Sequence, residues 1–154
     1  MSIEKLKQQR EQLDQLLAVI SSGYIALSRE RSLAYTSGQD ARMFIGKVMG
    51  AIGNPNPYPE SMNPASQQIE PPSDKATERF DFPEEETETS LIKRLRKTLE
   101  ELKEEFANLT FKGPAMLSVD ANVYAVQVFV ELTKTILWLG MCLGNIRDAA
   151  NQDS

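Results

Sequence analysis

Apolar positions recur at helical intervals in four stretches of the chain, and these stretches predict its elements. The first, residues 2–21, sets Ile3, Leu6, Leu13, Leu17 and Ile20 at heptad spacing, with Arg10 at one of the core positions. Such a stripe calls for a partner helix. The second runs over residues 28–53, from Ser28 as an N-cap to Gly53 as a C-terminal stop followed by Asn-Pro. The third, residues 87–109, repeats Leu91, Leu95, Leu99, Leu102, Phe106 and Leu109 along one face with charges elsewhere, the pattern of an amphipathic surface helix. The fourth, residues 118–149, is apolar around most of its circumference, which predicts burial between subunits in so short a chain. The predicted fold is all-α: one domain over 1–154, an antiparallel helical hairpin with an extra N-terminal helix, assembled as an oligomeric helical bundle.

Proline punctuates this pattern once. Seven of the eight prolines fall between Pro55 and Pro83, so residues 54–85 are read as a long Pro-rich loop that cannot be regular helix. Its acidic end, Glu84 to Glu88, suits the N-terminal dipole of the third helix.

Two short segments resemble each other. Met43 to Ile52 aligns without gaps on Leu137 to Ile146, pairing Gly46 with Gly140, Gly50 with Gly144 and Phe44 with Trp138. Glycine inside a helix costs about 1 kcal/mol relative to alanine, so the four glycines point to backbones in close contact. The second and fourth helices are therefore expected to form the central antiparallel pair, whether the likeness is a repeat or two independent uses of small residues.

Composition then narrows the chemistry. The chain has 154 residues, a formal charge of −5, no histidine and one cysteine. Without histidine there are no His-based triads and no imidazole ligands for a metal, and one cysteine makes no internal disulfide. Cys142 lies in an apolar run and is expected to be a buried, unreactive thiol. Net negative charge argues against a broad surface for long nucleic acids. The charged start lacks a signal core, and Gln127, Glu131 and Lys134 interrupt the most apolar stretch, so neither secretion nor a membrane span is predicted and a cytoplasmic location is.

The second segment carries the most informative polar face. Arg31, Tyr35, Gly38 and Arg42 follow i, i+4, i+7, i+11 spacing on one strip. Guanidinium forks suit phosphate, a tyrosine ring suits a base, and Gly38 leaves space between them. The same strip is also what a solvated helix face looks like. Alternating prolines hold Tyr58 in a stiff extended segment that either presents its ring or packs as a plain turn. Glu100, Glu101, Glu104 and Glu105 offer two carboxylates on one face through Glu101 and Glu105, the raw material of a Mg-dependent nucleotide pyrophosphatase, yet no acidic pair faces them. Lys93, Arg94, Arg96 and Lys97 are expected to pair with Glu100, Glu101 and Glu104. No Gly-rich phosphate loop or nucleophile elbow occurs, and no catalytic residue, metal ligand or cofactor is assigned.

Residues 28–61 contain Ser32 to Thr36 (SLAYT), Gln39 to Gly46 (QDARMFIG) and the exit Asn-Pro-Asn-Pro-Tyr-Pro-Glu-Ser, with Ile69-Glu70-Pro71 beyond. This stretch, about a third of the chain with its flanks, resembles the helical-hairpin family of small phage anti-defence proteins, the anti-Thoeris and anti-CBASS cyclic-nucleotide sponges. The resemblance implies an obligate homo-oligomer, typically a hexamer, with pockets where hairpins from different subunits meet, that sequesters cyclic nucleotides or cyclic ADP-ribose isomers in the host bacterial cytoplasm without cleaving them. The implied ligand-binding residues are Arg31, Tyr35, Thr36, Arg42, Phe44 and Tyr58. Gly38 and Phe44 depart from the family pattern, where an apolar residue and a tryptophan are common. A helical assembly protein, binding a partner through residues 2–21 and the fourth helix, is the alternative from another class.

Overall fold

A computed structural model describes residues 3–53, 86–111 and 118–152. Among these the chain forms four helices: α1 Ile3–Ile20, α2 Arg29–Gly53, α3 Glu88–Thr110 and α4 Val119–Gln152. The fold is all-α. The Pro-rich segment assigned to residues 54–85 lies outside the described residues, as does Tyr58.

Three of the helices start on a hydroxyl cap. Ser28 Oγ accepts from the backbone N–H of Arg31 (3.1 Å), Thr87 Oγ1 from that of Ser90 (3.1 Å) and Ser118 Oγ from that of Ala121 (3.2 Å). Each satisfies one N–H that has no partner within its helix, worth about 1 kcal/mol.

The apolar stripes meet as two antiparallel hairpins, α1 with α2 and α3 with α4, joined across the most extensive interface of the protein, between α2 and α4. Direction is read from contacts. Arg42 of α2 pairs with Asp14 of α1, while Gly46, further along, lies by Arg10, further back. Likewise Gly38 approaches Thr135, whereas Phe44 stacks on Tyr124, so α2 and α4 run in opposite directions. The core is continuous through Leu6, Leu13, Leu17, Ile45, Leu95, Leu99, Phe106, Leu132 and Leu139. Each such side chain contributes roughly 1.5–3 kcal/mol by leaving water.

The likeness between the two glycine segments widens into a shared plan. Buried Ala34, Ser37, Gly38, Ala41, Arg42, Ile45 and Val48 on α2 stand 94 positions before buried Val128, Glu131, Leu132, Thr135, Ile136, Leu139 and Cys142 on α4. Leu6, Gln9, Leu13, Leu16 and Ile20 on α1 likewise precede buried Ile92, Leu95, Leu99, Leu102 and Phe106 by 86 positions. Both hairpins therefore bury one pattern.

The central pair is as expected, but its glycines do not make it. The space a Cβ would take at Gly46 adjoins Arg10 of α1, and that at Gly140 adjoins Arg96 of α3; at Gly50 and Gly144 nothing lies within 4 Å. Small residues here admit arginines from the flanking helices, and it is Gly38 that approaches α4.

Helix α4 departs most from an ordinary core helix. Its inner face is buried, yet Val119, Val123, Val126, Val130, Leu137 and Met141 are exposed, from 38% at Val130 to 80% at Val119. By length and composition, Val119–Arg147 is the one helix among the described residues capable of crossing a bilayer, with 39% of its most apolar window buried inside the protein.

Candidate functional site

The two arginines of the predicted strip are both turned toward α1 and both occupied. Arg31 Nη1 donates to the carbonyl of Ile25 (2.9 Å) and Nη2 to that of Ser21 (3.0 Å), so its guanidinium braces the connection from α1 to α2. A cation beside carbonyls at a helix C-terminus is favourable. Arg42 is buried, and its Nε donates to Asp14 Oδ1 in an ion pair between α2 and α1. Burial pushes the Asp14 carboxyl above its ordinary range, while the Arg42 hydrogen bond and charge pull against it.

The gap expected at Gly38 is filled. Leu17 Cδ2 of α1 presses into the place where a Cβ would stand, and Thr135 Cγ2 of α4 closes the other side at 3.8 Å. Tyr35 is half-buried against the core, and exposed Thr36 donates from its hydroxyl to the Ser32 carbonyl (3.0 Å). The strip therefore does not form one cleft within a single chain.

Phe44 belongs to a different grouping. Its ring stacks with Tyr124 of α4 at 6.4 Å between centroids and 26° between planes, and Lys47 Nζ stands 5.5 Å from the Tyr124 centroid. All three side chains are half-buried at the crossing of α2 and α4. Two near-parallel rings with an ammonium beside them offer a planar apolar face and a positive charge, the complement of a base and its phosphate. Helical spacing supplies the signal for Lys47, which follows Phe44 by one turn; Tyr124 lies on a distant segment, and only packing brings it in. Of the six predicted residues the structure joins Phe44 to this cluster, sets Arg31, Tyr35, Thr36 and Arg42 elsewhere on α2, and leaves Tyr58 outside the described residues.

A related arrangement lies between α3 and α4. Phe111 meets Phe129 edge-on at 6.2 Å and 80°, with Lys103 Nζ 5.1 Å from the Phe129 centroid. Lys103 also pairs with Glu100 (3.3 Å).

The basic cluster of α3 pairs differently from expectation. Arg94 turns back to Glu86, with Nε donating to Oε1 (2.9 Å) and Nη2 to Oε2 (2.5 Å), and Arg96 crosses to α4, where Nε donates to the Ile136 carbonyl (3.2 Å). A bidentate fork reaching a carboxylate near the helix start outcompetes single pairs with exposed glutamates. Glu101 and Glu105 are exposed, and among the described residues no three His, Cys, Asp or Glu side chains stand close enough to hold a metal ion.

One further polar group sits inside the fold. Gln9 is 2% exposed, and its amide N and O both lack hydrogen-bond partners. On the α2–α4 face, burial and then the charge of Glu131 push the Asp40 carboxyl up, partly offset by Lys134. Burial also raises the Cys142 thiol, which keeps it protonated and a poor nucleophile. Compared with protein-family models, curated proteins and solved structures, the chain matches none of them.

Proposed function

We propose that this protein binds a small anionic nucleotide and retains it without cleaving it, acting in the cytoplasm of a phage-infected bacterium as a sponge for a cyclic nucleotide or cyclic ADP-ribose-type immune signal. The observation that carries the reading is the half-buried Phe44–Tyr124 stack with Lys47 beside it. Ring faces accept any base and the ammonium favours phosphate, so the grouping suits recognition of a nucleotide by class. The resemblance of residues 28–61 to the phage sponges adds the ligand class and self-association, as a hexamer or another even-numbered assembly. A chain with no histidine suits retention better than acid–base turnover at neutral pH.

The test is calorimetry of the full chain against cyclic di- and trinucleotides and cyclic ADP-ribose isomers, followed by denaturation and chromatography of the released ligand. Binding tighter than about 10 µM with intact ligand recovered is expected. Tyr124→Ala and Lys47→Ala should each weaken it about 10-fold, the worth of one stacked ring or one favourable cation. Absence of binding across the panel, or recovery of cleaved ligand, overturns the proposal.

A second reading, a helical assembly protein, is favoured by the exposed apolar stripe of α4. It does not compete with the first, because Phe44 and Tyr124 meet at the α2 interface of that helix.

A further inference from the structure

The exposed apolar residues of α4 are ordered. Val119, Val126 and Thr133 alternate with Val123, Val130 and Leu137 at steps of four and three, which is the a/d seam of a heptad repeat, and all six face water. The fold does not require this. On α2, at the positions 94 earlier, Arg29, Ser32, Thr36 and Gln39 stand where α4 has Val123, Val126, Val130 and Thr133, and Met43 alone is apolar, where α4 has Leu137. Two hairpins with one buried plan thus differ along most of this outer strip, polar on α2 and apolar on α4, and the described residues leave the α4 seam uncovered.

We infer that the seam pairs with the same seam of a second copy in an antiparallel two-helix contact. This rests on the self-association in the reading above and gives it a surface. A seam of one helix is self-complementary by construction, as a two-fold interface must be. Charge selects the direction. With Val126 opposite Val130 of the second copy, Val119 meets Leu137 and Val123 meets Thr133, and Asp120 falls beside Lys134 of the second copy at both ends. A parallel pairing sets Asp120 level with Asp120 and Lys134 level with Lys134, and loses that complement. Both side chains flank the seam and are exposed, and Lys134, which contacts Glu131 at 3.2 Å, keeps two further N–H donors. A bilayer is the less fitting occupant, since the opposite face of α4 buries Glu131 and Thr135 inside the protein.

The contact is small. From Val119 to Leu137 the seam runs about 27 Å, and at a helix width of about 10 Å it lies at the weak end of specific interfaces. Reversible pairing in the range of tens of micromolar is expected.

Sedimentation of the full chain from about 5 to about 500 µM reads this directly. The wild type should associate reversibly, and Val126→Glu with Val130→Glu should weaken association more than about 10-fold while helicity by circular dichroism stays unchanged. Asp120→Lys and Lys134→Asp should each weaken it about 3-fold, and the two together should restore it. Association untouched by the glutamates removes the seam and leaves self-association standing; a wild type that stays monomeric removes both. Failure of the charge swap to restore pairing overturns the antiparallel register. Flotation of the wild type with phosphatidylglycerol–phosphatidylethanolamine vesicles, lost in the glutamate variant, in a chain that does not associate, assigns the stripe to a membrane and overturns the proposal. Ligand binding measured on the glutamate variant separates this outcome from the nucleotide reading.

Discussion

Arg96 lies so close to Gly140 that a methyl group on that glycine would stand 3.2 Å from its Cζ and Nη2. The same guanidinium donates from Nε to the Ile136 carbonyl at 3.2 Å, so it cannot retreat without straining that bond. The matching glycine of the other hairpin is roomier, with Arg10 Nη1 at 3.7 Å, ordinary contact for a Cβ. Alanine in a helix gains up to about 1 kcal/mol over glycine. Gly46→Ala should therefore raise stability by about 0.5–1 kcal/mol, and Gly140→Ala should fall short of it by about 1 kcal/mol, both read from urea unfolding.

Gly38 behaves oppositely. A Cβ there meets Leu17 Cδ2, and Leu17 is 1% exposed in the centre of the core, with little freedom to shift. Gly38→Ala should cost about 1–3 kcal/mol by overpacking. Adding Leu17→Ala should cost much less in the Gly38→Ala background than alone, and a double-mutant cycle in urea that proves additive would refute the contact.

Gln9 occupies an apolar position with a polar side chain. Its counterpart in the second hairpin, 86 positions on, is the fully buried Leu95. A buried amide without partners costs about 1–3 kcal/mol, so Gln9→Leu should stabilise the protein by about 1 kcal/mol, raising the melting temperature by about 2–4 °C. A lower melting temperature would show that the amide has a partner in solution.

Asp40 supplies a pH dependence of known sign. Burial and Glu131 raise its carboxyl above the ordinary 3.8, so the folded state binds its proton more readily than the unfolded state does. That contribution is fully present below 3.8 and is lost as pH rises through the higher folded value. Asp40→Asn should be more stable than wild type at pH 7, by a small margin because solvent screens this partly exposed group, with the gap closing as pH falls through that window toward 3.8. Thermal melts of both proteins from pH 7 to below 4 read the difference, and a gap that widens on acidification would contradict the assignment.

Much of the architecture was legible before folding. The heptad spacing of Leu6, Leu13 and Ile20, the stripe from Leu91 to Phe106 and the cap at Ser28 are local, and helix periodicity translates them directly into buried faces and a helix start, whereas the caps at Thr87 and Ser118 emerge only in the structure. The candidate site was less legible. Arg31 and Arg42 share a strip with Tyr35, but a long side chain reaches whichever acceptor packs nearby, and α1 supplied Ser21, Ile25 and Asp14.

The four helices, the Ser28 cap, the apolar stripes and the likeness of the second and fourth helices were written in the chain itself, because these depend on residues within a few turns of one another. Tertiary structure alone decided that Leu17 fills the space at Gly38, that the other helical glycines admit arginines or stand open, that Tyr124 comes to Phe44 and Lys47, and that the apolar excess of α4 is a heptad seam facing water. Each of these depends on which helix packs, or does not pack, against a given face, and a pattern along one helix carries no information about which side chain of another will arrive against it.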